Sequence, residues 1–223
     1  MKTSNYIVLD CETGGLDSSK NPITGIAAIV LSCVDYSELD RFETYVKPYN
    51  DLVVTQDALD RSMVKMADLE KGMEAKKLAI LLSTMFKKHN PSKKDLSKPI
   101  LVGHNTQFDH GFLKYLFANF LTTDADKKIG KIVDVNDFIM PNLIDTMLDS
   151  KRLWGNDKGK EDNNIKLTTC VKKAGLSVRD AHGAMEDVIM TRDLFFWFNN
   201  RLSTDGSAGV VQKIKKSREH FQF

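Results

Sequence analysis

The 223-residue chain has only three cysteines, and no two of them make a C-x-x-C pair. Cys11, Cys33 and Cys170 are odd in number and far apart. That excludes a disulfide framework or a cysteine zinc site and suits small buried residues of a reducing compartment. A long hydrophobic run is also missing: nothing approaches the ~20 apolar residues that cross a bilayer, so no membrane partner is expected. Nor does charge of one sign prevail. Lys and Arg total 32 against 30 Asp and Glu, a formal net charge of +2, which neither demands nor excludes a nucleic-acid partner. There is no internal repeat, and "MKTSNYIVLD" enters a strand too soon for a signal peptide. A cytoplasmic location is the expectation. What is present is a 42% apolar content, enough for one sizeable core.

The pattern along the chain changes period partway. "YIVLDCETGG" (6–15), "ITGIAAIVLSCVD" (23–35) and "RFETYVKP" (41–48) read as three strands joined by short turns, an antiparallel meander. Residues 66–89 then carry Leu78, Leu81, Leu82, Met85 and Phe86 on one helical face. "ILVGHN" (100–105) is a continuous apolar run, the mark of a buried parallel strand. A helix over 108–121, a short strand over 142–147, a mobile loop over 151–164, a short helix over 167–176 stopped by Gly175 and a long helix over 181–202 follow. Strands in a meander, then strands alternating with helices, predict an α/β fold with a mixed sheet and helices on its faces.

Acidic residues recur where such a sheet binds ligands. Asp10 and Glu12 are two residues apart on a strand, so they share one face while Cys11 takes the other. Alone, the pair reads first as a solvated strand end running into a Gly turn. Asp109 stands in the first turn of the helix after the fourth strand, where it could merely complement the helix dipole. In "DAHGAMEDV", His182 and Asp187 are five residues apart, a turn of about 140° on a helix, so they cannot share a helical face. The spacing works if His182 precedes the helix, Gly183 opens it and Asp187 faces inward beside Ala184, Val188, Phe195 and Phe198. Together these five residues are the set that metal-assisted phosphodiester hydrolysis requires: carboxylates for two Mg²⁺ or Mn²⁺ ions and a histidine as base.

"DCETGGL", "GHNTQFDHGFL" and "HGAMED", in that order, closely resemble the three motifs of the DEDDh 3′–5′ exonuclease family, which includes the proofreading subunits of bacterial replicative polymerases. The resemblance covers roughly residues 5 to 200. It implies a ribonuclease H-like fold and stepwise removal of nucleotides from 3′ ends. By position it makes Asp10, Glu12 and Asp187 direct metal ligands, Asp109 a ligand often acting through water, and His182 the general base. Thr13, Gly14, Gly15 and Leu16 would border the scissile nucleotide, with Asn105 and Phe108 also against the substrate. Three departures stand out: Gly183 where an arginine is common, Gly25 where an acid or amide is usual, and "RSMVKMADL" where a "GIT"-like turn is expected.

The exonuclease domain would span 1–202, and 203–223 would form a flexible basic tail. The expected partner is the 3′ end of a single strand, DNA in preference to RNA. The family adds a DNA polymerase as a possible partner. Phe221 and Phe223 in the tail resemble, without the usual leading glutamine, peptides that dock on a sliding clamp. Three rivals stay open: an RNA-trimming exonuclease of the same family, a catalytically silent module that binds nucleic-acid ends or polymerases, and a two-metal phosphohydrolase of nucleotides.

Overall fold

The computed structural model describes residues 4–155, 164–179 and 183–204. Three antiparallel strands open the chain: β1 (Tyr6–Thr13), β2 (Ile23–Leu31) and β3 (Glu38–Tyr45). Helices α1 (Gln56–Ser62), α2 (Met66–Leu69) and α3 (Ala75–Lys88) then carry the chain across to β4 (Ile100–Gly103), parallel to β1. Next come α4 (Thr106–Phe120), α5 (Asp124–Lys128) and β5 (Ile144–Asp145), which lies parallel to β4. The chain continues through α6 (Thr146–Trp154), α7 (Leu167–Lys173) and α8 (Ala184–Thr204). The strand order is β3-β2-β1-β4-β5, the mixed sheet that the sequence predicts.

Alternation along β1 sorts its side chains between two cores. Ile7, Leu9 and Cys11 join Leu78, Leu82 and Phe86 of α3 and Phe112, Leu113 and Leu116 of α4. Tyr6 and Val8 meet Ala184, Val188 and Phe195 of α8 on the other face. Because β2 is covered on both faces, its apolar run is unbroken rather than alternating. Asp10 and Glu12, two and four residues past Val8, therefore continue the face that α8 covers.

Two expectations need correction. Residues 66–89 are not one helix. Met73 N donates to the Tyr45 carbonyl (2.8 Å) and Lys47 N to the Met73 carbonyl (2.9 Å), so Met73 forms a parallel bridge with Val46, just past β3, and the helix is broken there. Gly72 permits the approach, since a Cβ there would lie 2.8 Å from Tyr45 backbone. Residues 151–154, assigned to a mobile loop, are the end of α6, anchored by Trp154 against Trp197 (ring centroids 5.5 Å apart). Helices α1 and α5 were not foreseen at all. Gly175, at φ +71°, ends α7 as expected. No helix of the described residues is long and apolar enough to cross a membrane. The expected tail, 203–223, starts within the last residues of α8, and 205–223 lie outside the described residues.

Candidate active site

The carboxyl ends of β1 and β4 and the start of α8 converge, as the sheet order requires. Carboxylate oxygens of Asp10, Glu12 and Asp187 all lie within 4.8 Å of one another. A bulge between Glu12 and Thr13 interrupts the pairing to β2 at that point, a device that re-aims side chains beside active sites. Opposite Glu12 sits Gly25, where a Cβ would come within 3.3 Å of the Glu12 Cβ. The glycine that departs from the family pattern thus leaves Glu12 uncrowded. Asp187 occupies the first turn of α8, its amide directed at the Gly183 carbonyl (3.5 Å). Asp109, 3% exposed in the first turn of α4, accepts a hydrogen bond from the Cys11 amide (2.9 Å), which ties α4 to β1.

These acids raise one another's proton affinity. Burial, then the charges of Asp109, Asp187 and Glu12, push Asp10 well above the ordinary carboxylate range. Burial and Asp187 raise Glu12; burial and Glu186 raise Asp187. Burial lifts Asp109 to about 7, against the pull of the Cys11 amide. Among the described residues, the charges that shift Asp10, Glu12 and Asp187 are all negative. An all-oxygen cluster of like charges with no basic partner among the described residues fits a hard divalent cation.

A groove of about 240 Å³ runs from Glu12 past Thr13, Gly15, Leu16 and Phe108 to α1. It brings together four of the six predicted substrate residues. Gly14 is not among them: its amide donates to the Pro22 carbonyl and its carbonyl accepts from Thr55 N, both at 2.8 Å. Asn105 stands apart as the exposed first residue of the α4 entry, at φ +73°, its amide held by Asp145 Oδ1 (3.0 Å).

The family model described as Exonuclease matches residues 7–195. The chain belongs to that exonuclease family. Ribonuclease T of Marinobacter nauticus is 30% identical over 87% of this chain and 82% of its own length. The PolC-type DNA polymerase III of Caldanaerobacter subterraneus is 26% identical over 96% of this chain, which spans 13% of that protein. Among solved structures, exonuclease I of E. coli in complex with a dT13 oligonucleotide superposes with a TM-score of 0.67. It is 17% identical over 91% of this chain, which covers 43% of its length, a likeness of fold alone. The sequence-based reading as a metal-dependent 3′–5′ exonuclease with a ribonuclease H-like α/β fold stands.

Histidine placement in this exonuclease is informative even though His182 lies outside the described residues. His104 Nε2 faces the Ile165 carbonyl (2.8 Å), so it carries the proton, and Nδ1 faces the Thr146 hydroxyl (2.9 Å). Burial holds its pKa below the usual imidazole range. His110 Nε2 bonds Asn136 Oδ1 (3.0 Å) in the core. Both are fixed by structural partners. The sequence reading missed Asp57 and Arg61, which line the groove from α1. Thr55 as helix cap, then an acid and a base four residues apart, was the available signal.

Proposed function

We propose that this exonuclease removes nucleotides one at a time from the 3′ end of single-stranded DNA and releases nucleoside 5′-monophosphates. The observation that carries it is the trio Asp10, Glu12 and Asp187, brought within 4.8 Å from a strand and a helix far apart in sequence. These three would hold two Mg²⁺ or Mn²⁺ ions, with Asp109, whose charge acts on Asp10, as a further ligand. Bound ions would supply an activated water and charge stabilisation for the leaving oxygen. The chain's own residues do the rest. Leu16 and Phe108 offer apolar surface to the terminal base, a contact tolerant of sequence. Thr13 and Gly15, in the groove beside Glu12, border the sugar. His182 takes a proton from the attacking water, its neutral form favoured beside cations.

Retention of all four carboxylates speaks against a silent binding module. A specific observation favours RNA as the second reading: relatives covered along most of their length include a ribonuclease T, at 82%. A polymerase partner is supported by the PolC-type relatives, in which the matching region is a small part of a larger chain. Matched DNA and RNA single strands, labelled at the 5′ end and digested with Mg²⁺ or Mn²⁺, test the proposal. A ladder shortening from the 3′ end, faster on DNA, is expected. Cuts inside a circular strand, or first loss of the 5′ label, would overturn it; faster trimming of RNA would hand the assignment to the second reading.

A further inference from the structure

The groove beside Glu12 has one chemically distinctive wall. Leu16 and Phe108 make one side apolar, whereas α1 contributes Asp57 and Arg61, joined at 2.6 Å between Oδ2 and Nη2. Arg61 is the only cation among the described residues that line the groove. Asp57 and Arg61 are 72% and 69% exposed, so their pairing adds little to helix stability. Its place matters more than its strength. The start of α1 is stitched to the turn after β1, through Thr55 N to the Gly14 carbonyl (2.8 Å) and Asn21 Nδ2 to the Val53 carbonyl (2.8 Å). The wall bearing Arg61 is thus held in fixed relation to Glu12.

We propose that Arg61 is a specificity-determining residue that reads the base of the 3′-terminal nucleotide and favours guanine; this rests on the exonuclease assignment above. With the sugar and phosphate at the carboxylates, a base lying along Leu16 and Phe108 turns its edge toward α1. At about 240 Å³ the groove is smaller than a common small-molecule pocket and suits one base. A guanidinium is a rigid fork of donors with no acceptor. Guanine carries adjacent acceptors, O6 and N7, on an edge that reaches away from the sugar; adenine sets a donor beside its N7, thymine has a donor between its two carbonyls, and the O2–N3 pair of cytosine lies on the sugar side of a smaller ring. Asp57 accepts one guanidinium N–H and aims the fork, leaving the other donors for the base.

The test uses 5′-labelled oligothymidylates that differ only in the last nucleotide. Single-turnover release of a terminal dG should be roughly fivefold or more faster than that of dA, dC or dT. Arg61→Met, which keeps the apolar stem, should abolish that ranking, and Arg61→Lys should recover part of it. A second readout needs no cleavage: fluorescence anisotropy with the Asp10→Ala chain should show tighter binding of the dG-ended strand, lost on adding Arg61→Met. Equal rates and affinities for all four ends would overturn the inference while leaving the exonuclease assignment intact. So would a uniform slowing by Arg61→Met, the mark of a phosphate contact. Failure to digest any end would instead strike at the assignment, and anisotropy alone would then decide the role of Arg61.

Discussion

At the Tyr6 end of the sheet, Asp40 of β3 is met by Lys88 Nζ (2.8 Å) and His89 Nε2 (2.9 Å) on the same oxygen. The bonds from Lys88 and His89 hold its carboxyl down at about 2. At the Glu12 end of the same sheet, four acids gather with no base beside them among the described residues, and all are lifted, Asp109 to about 7. One end is finished by its own side chains; the other needs a cation from outside. A carboxylate that serves structure finds its partner within the chain, and a carboxylate cluster without one is a candidate binding site.

The largest effect should come from emptying the unfinished end. Asp10→Ala or Asp187→Ala is expected to abolish hydrolysis and leave the circular dichroism spectrum unchanged. Mg²⁺ or Mn²⁺ should raise the melting temperature of the wild type by mass action and that of the variants less. Equal metal-induced shifts would show that these side chains are not ligands. Next in size is the histidine contrast. His182→Ala should slow hydrolysis by roughly 10²–10⁴-fold, the span of a general base, and flatten the rise of rate with pH. His89→Ala, at the finished end, should leave the rate unchanged, and so should His104→Ala if the folded structure survives it. Near-normal turnover in His182→Ala would reassign the base.

The metal-free protein offers a thermodynamic version of the same contrast. Asp10, Glu12, Asp109 and Asp187 have folded pKa values above their unfolded ones. Below the ordinary carboxylate range, about 4, folded and unfolded chains are both protonated and nothing is lost. As pH rises through the folded values, reaching about 7 for Asp109, the folded state alone must ionise crowded acids and stability falls. In chelator, the melting temperature should therefore drop between pH 5 and 8, and Asp10→Asn should raise it at pH 8. For a chain of this size each kcal/mol is about 2–4 °C. A flat profile in chelator would mean the four groups are not held as close as the structure has them.

How much of this was legible beforehand follows from what each feature depends on. β1, β2 and β4 could be read because burial on one or both faces prints directly as apolar sequence, and Asp10 and Glu12 inherit their common face from strand alternation. Asp187 needed only the helical period of α8. By contrast, the break at Gly72 depends on a backbone bridge to Tyr45 that no local pattern encodes. Helix α1 escaped because its seven residues bury no side chain, so it has no apolar stripe to betray it. The two backbone bonds of Gly14, to residues 22 and 55, are likewise pairings that its motif does not print. Local periodicity was readable; long-range backbone pairing was not.

The smallest expected effect lies at the finished end. Asp40→Asn keeps the shape but removes the charge that meets Lys88 and His89. Asp40 and Lys88 are 29% and 63% exposed, so solvent screens their attraction and the loss should stay below about 1 kcal/mol, a fall of no more than about 4 °C at pH 7. The sign with pH is opposite to that of the acidic cluster. With its folded pKa depressed to about 2, Asp40 contributes above the ordinary range near 4, and that contribution disappears as pH falls toward 2. Wild type and Asp40→Asn should accordingly differ at pH 7 and converge near pH 2. Added salt should narrow the gap only in part, because His89 is 8% exposed and its bond to Asp40 is less screened than that of Lys88. Hydrolysis should be unaffected. Loss of activity in a folded Asp40→Asn chain would mean that the two ends of the sheet communicate, and that their contrast in charge is not a division of labour.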